Sequence, residues 1–71
     1  MTESAPVRVH VPTLDEGARP FRRVEILGQL VGKAYGLADV IEFMRRAGIH
    51  EGDVHDPGLI HWQGGGLAVW A

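Results

Sequence analysis

The chain has 71 residues, no cysteine, and nine acidic residues against seven basic ones, for a formal charge of −2 at neutral pH. A chain this short makes one domain with a small core, since about 60 residues bury only about 60% of the surface exposed on unfolding. The composition excludes disulfides and thiolate metal sites, the net charge argues against a general nucleic-acid binder, and no apolar run reaches the roughly 20 residues of a membrane-spanning helix.

Domains of this size draw support from disulfides, metals or a partner subunit. Without cysteine, self-association into a homodimer is the expected support, and a reducing, cytoplasmic setting fits the composition. All the basic residues except Lys33 are arginine. With the abundance of Gly, Ala and Val, that bias reads as the coding of a GC-rich bacterial genome.

Residues 1–6 are small and polar and end at Pro6. They carry neither the positive start nor the apolar run of a signal peptide, and are expected to form a disordered tail ahead of a domain spanning 7–71. Val7-Arg8-Val9-His10-Val11 alternates with period two, the pattern of a half-buried strand with its valines inward, and Pro12 stops it. Residues 13–20, with Asp15, Glu16, Gly17 and Pro20, read as an exposed loop. Alternation returns over 21–26, breaks at Leu27-Gly28-Gln29 and resumes over 30–35. A β-hairpin turning at Gly28 accounts for this; one long strand bulged at Gly28 is the alternative.

Residues 37–47 carry the clearest signal. Leu37, Val40, Ile41, Met44 and Ala47 share one face at period 3.6. Asp39, Glu42, Arg45 and Arg46 lie opposite, acid toward the start and base toward the end, as the helix dipole favours. Gly48 stands where a left-handed C′ residue belongs, with Ile49 placed for the accompanying apolar contact. Residues 50–58 form a polar loop ending in the turn sequence Asp56-Pro57-Gly58. Two last strands, 59–63 and 67–70, are expected around a turn at Gly64-Gly65-Gly66. The predicted fold is therefore α+β, a small two-layer structure of order β-ββ-α-ββ, with one amphipathic helix on a mainly antiparallel sheet of four or five strands.

The chemistry-bearing residues concentrate after the helix. Trp62 and Trp70 flank the three glycines, and each is either a core plug or an interface anchor. Phe43, at the edge of the helical stripe, is a third candidate anchor. His50, His55 and His61, with Glu51, Asp53 and Asp56 nearby, offer imidazole and carboxylate to a metal, although their spacing matches no common ligand pattern. Arg19, Arg22 and Arg23, joined by Arg8 and Lys33, could line a basic strip for phosphates, but Asp15, Glu16 and Glu25 are interleaved with them. The glycine run lacks the Gly-Lys-Ser/Thr ending of a phosphate loop. No nucleophile, base and orienting group can be assembled from Ser4, Thr2 and Thr13, so no catalytic residue is expected and no cofactor is assigned. The leading expectation is a non-catalytic module that binds itself or another protein through the 59–70 hairpin and its tryptophans. A histidine-based metal or small-ligand regulator and an accessory nucleic-acid binder are the alternatives.

Overall fold

A computed structural model describes residues 5–14, 19–50 and 52–70. The proposed tail up to Ser4, the acidic pair Asp15 and Glu16, and Glu51 lie outside these residues. The elements are β1 (Val7–Val9), β2 (Thr13–Leu14), β3 (Pro20–Ile26), β4 (Gln29–Ala34), α1 (Leu37–Arg46) and β5 (Ile60–Trp62). They make an α+β fold, one helix packed on one sheet, in which β3 is the hub. It pairs antiparallel with β1, with β2 and with β4, while β5 joins β1 in parallel.

The hairpin reading of residues 21–35 holds. Ile26 pairs with Gln29 across a two-residue turn, and both turn residues have positive φ, Leu27 at 51° and Gly28 at 83°. That is the backbone of a type I′ turn, whose twist matches the flanking strands. The strand register slips between Val24 and Glu25, because Val24 faces Gly32 while Glu25 faces Leu30. Val31 is therefore the extra residue of a β-bulge.

Two departures occur early in the chain. The first strand is shorter than the alternation implies, ending at Val9, and Val11 is exposed. The stretch expected as a loop over 13–20 contains β2, whose Thr13 and Leu14 pair with Phe21 and Pro20. Val9 faces Val24 and Thr13 faces Phe21, so four steps along one strand match three along the other. The strand bulges at Val11 and Pro12, opposite Arg22. Proline has no N–H to give a ladder and is tolerated in such a bulge.

The helix forms where the periodicity places it, and its end obeys the sequence signal. Gly48 has φ 89°, its N–H reaches the Arg45 carbonyl, and the Ile49 N–H reaches that of Met44 at 2.8 Å. These are the paired bonds of a Schellman cap. At the start no side chain caps Gly36, but the Asp39 carboxylate accepts the Tyr35 N–H at 2.8 Å. The buried face is rotated from the expected stripe. Val40 and Met44 are buried, but Ile41 is exposed and so is Ala47. Phe43 takes the place on the core that Ile41 was expected to hold.

The core consists of Val7, Val9, Val24, Ile26, Ala34, Val40, Met44 and Ile60, with Phe43, Ile49, Val54, Leu59, Trp62 and Trp70 packed around it. Burial of such apolar surface, at about 25 cal/mol per Å², is what holds the helix to the sheet. Among the described residues no helix is long and apolar enough to cross a membrane.

Candidate binding site around Arg22 and the two tryptophans

Along β3, residues 22, 24 and 26 share one face of the strand, since side chains alternate. Val24 and Ile26 on that face belong to the core, and Arg22 is drawn in with them, at 0% exposure. Its strand partner is Ala34, also buried. Arg22 thus leaves the expected basic strip: it is the buried charged residue among those described.

An arginine survives burial only if its donors are matched, and here every one is. Nε donates to the His10 carbonyl at 2.9 Å. Nη1 donates to Gly66 at 2.9 Å and Val69 at 2.5 Å. Nη2 donates to Gln63 at 2.8 Å and Gly65 at 2.9 Å. A guanidinium has five N–H donors in a fixed planar fork, so the set is complete. Among the described residues no buried side-chain nitrogen or oxygen lacks a partner. Burial pushes the Arg22 pKa down from its ordinary value, but arginine begins so high that it stays charged at any pH the fold meets.

The two tryptophans complete this arrangement. The guanidinium carbon lies 5.2 Å from the Trp62 ring centroid and 5.5 Å from that of Trp70, within cation–π range. The rings meet edge to face, with centroids 6.4 Å apart and planes at 83°. Each indole N–H is also satisfied, Trp62 by the Val54 carbonyl at 3.1 Å and Trp70 by that of Leu67 at 2.7 Å. Both tryptophans are half-buried, between the two roles the sequence allows.

This geometry explains why the expected last strand is missing. Residues 67–70 have the composition of a strand, but β5 ends at Trp62 and no ladder forms over them. Instead the Val69 carbonyl turns inward to Arg22, together with those of Gln63, Gly65 and Gly66. Residues 63–70 therefore form a loop wrapped on a cation rather than the second arm of a hairpin. Gly64 allows the close approach, because a Cβ there would stand 2.6 Å from a Val11 methyl.

A groove of about 430 Å³ opens beside this cluster, between the 54–55 segment and the glycine loop. Val54, His55, Trp62, Leu67 and Val69 line it. Its walls are tied down by the Trp62–Val54 hydrogen bond on one side and by Arg22 on the other.

The remaining candidates are dispersed. The ring of Phe43 lies against Gly32, where a Cβ would sit 2.8 Å from Cζ, so it packs on its own sheet. His50 and His55 are exposed in the loop after the helix, and His61 is exposed on β5. Among the described residues no three histidine or carboxylate side chains gather to hold a metal. Instead Asp53 and Asp56 make local turn bonds, to the His55 and Gly58 N–H groups. Of the basic strip, Arg19 lies 4.8 Å from the Tyr35 ring, and Arg23 and Lys33 lie over Phe21 at 5.3 and 4.6 Å. Arg8 stands opposite Glu25, and Glu25 meets His10 at 3.2 Å.

A second feature, not marked by any motif in the sequence, lies on the β3–β4 hairpin. Leu27, Leu30 and Val31 are 75%, 61% and 39% exposed on the hairpin whose outer strand, β4, pairs with β3 alone. The alternation of 21–35 marks these residues as strand and turn without saying that no element among the described residues covers them.

No protein-family model, curated protein or solved structure matches this chain.

Proposed function

We propose that this chain is a non-catalytic interaction module of the cytoplasm that binds an apolar side chain of a partner protein in the groove beside Trp62. The observation that carries the reading is the groove itself: apolar lining, about 430 Å³, with walls fixed by hydrogen bonds. Concave apolar sites with few polar groups are where proteins take ligands, and a tryptophan in such a place is a frequent anchor of binding energy. A preorganised wall also lowers the ordering cost of association. The test is a display selection of random peptides on the folded protein, followed by NMR of the two indole N–H signals. Peptides that share an apolar anchor, shift the Trp62 signal and lose binding to Leu67→Lys are expected. Peptides that bind without moving either indole would contradict the reading.

A second reading has its own observation, the open edge of β4 with exposed Leu27, Leu30 and Val31. An unpaired edge is a template for another strand, and a second copy of this chain brings the same edge to a two-fold contact. Sedimentation over a range of concentrations checks it: wild type associates and Leu30→Lys stays monomeric, whereas a wild type that is monomeric throughout removes it. The metal and nucleic-acid readings draw less support, since the histidines are dispersed and Arg22 has left the basic strip.

A further inference from the structure

The glycine loop has little structure of its own. Within it the Val69 N–H reaches the Gly66 carbonyl at 3.1 Å, while the carbonyls of Gln63, Gly65, Gly66 and Val69 converge on one guanidinium. That guanidinium comes from a strand more than 40 residues earlier, separations of 41 to 47 positions, so the loop is folded around a group foreign to it. The two indoles of Trp62 and Trp70 lie against the cation. We propose that residues 63–70, with Trp62 and the His10 carbonyl, form a guanidinium receptor, and that Arg22 is its tethered ligand.

Three properties of the site select that chemical class. Convergent carbonyls demand a donor and reject an acceptor, which excludes carboxylates and phosphates. Five acceptors match the five N–H groups of an alkylguanidinium, whereas an alkylammonium offers three. The indole faces favour a flat, weakly hydrated cation over a neutral molecule of the same shape. The receptor is a separate matter from whatever the neighbouring groove binds, although the loop it orders is one wall of that groove.

The experiment empties the receptor and offers the ligand back. In Arg22→Ala the missing atoms are those of N-ethylguanidinium. The variant is melted, with tryptophan fluorescence and near-ultraviolet circular dichroism as readouts, in millimolar N-ethylguanidinium, ethylammonium or N-ethylurea. Binding to the folded state raises the melting temperature with ligand concentration. N-ethylguanidinium is expected to raise it saturably, at least about tenfold more potently than ethylammonium, and N-ethylurea is expected to do nothing. Wild type, its site filled, is expected not to respond. Should Arg22→Ala be unfolded alone, N-ethylguanidinium is expected to fold it and restore the dichroism. Equal responses to the three compounds, an equal response from wild type, or neither rescue nor folding would overturn the proposal.

Discussion

Two regions of this small protein are held together by opposite means. The sheet and helix close over aliphatic side chains, Val7, Val24, Val40, Met44 and Ile60 among them, and burial of apolar surface suffices. The glycine loop leaves much of its aliphatic surface uncovered, Val69 being 37% exposed, and is fixed by one cation that takes four of its carbonyls and that of His10. The first kind of region tolerates exchange of one hydrophobe for another of similar volume. The second depends on the identity of one side chain, because each carbonyl left without its donor incurs a desolvation penalty. In a domain without disulfides, this polar hub does the work of a staple.

The contrast is broken most severely at Arg22. Arg22→Met keeps much of the volume and removes every donor, and a loss on the order of 3–5 kcal/mol in urea unfolding is expected, since five carbonyls lose their donor at about 1–3 kcal/mol for each that stays buried and unsatisfied. Arg22→Lys is expected to recover only a minor part of that loss, since it keeps the charge without the fork. Met44→Ala attacks the other region and should cost roughly 2–3 kcal/mol, near the low end for buried Met truncations. There, exchange of loop and core amides should accelerate together. Trp70→Phe sharpens the comparison: it removes the indole donor to Leu67 and keeps a ring by Arg22, for a loss of about 1 kcal/mol. Hydrogen exchange should then quicken in residues 63–70 while the helix is unaffected. Leu27→Asn is the smallest change and the only stabilising one, by up to about 1 kcal/mol, since asparagine accepts the positive φ that leucine resists. A fall in melting temperature would contradict the turn geometry.

The helix and the β3–β4 hairpin of the first region were legible in the sequence, whereas the rest of the sheet and the second region were not, for physical reasons. Helix periodicity, the Gly48 cap and the Gly28 turn are local signals, each written in residues close along the chain. The parallel pairing of β5 with β1 spans more than 50 positions, as Val7 against Ile60, and a three-residue strand carries no register of its own. Leu67 to Trp70 resembles a strand because its composition suits one. What overrode that propensity was the donor set of an arginine far back in the sequence. By composition Arg22 reads as part of an exposed basic strip, since charged residues are rarely buried unless partnered. Yet its phase with Val24 and Ile26 was visible, and alternation placed it on the inner face. A charged residue in phase with a buried face calls for a search for its acceptors, and the glycine run more than 40 positions later, with its flanking tryptophans, supplies them. For the candidate anchors, the sequence drew attention to Trp62 and Trp70 but gave no sign that a guanidinium lies against both rings.

The central claim is that Arg22 is charged, buried and fully hydrogen-bonded. Nitrogen-detected NMR of the arginine side chains at neutral pH tests it most directly. Exposed arginines rotate about the Nε–Cζ bond and exchange their protons quickly with water, whereas a guanidinium held by five carbonyls cannot. The account predicts one arginine with separate, slowly exchanging Nη protons that disappear from the spectrum in Arg22→Lys. Averaged, rapidly exchanging Nη signals for every arginine in the folded protein would contradict it.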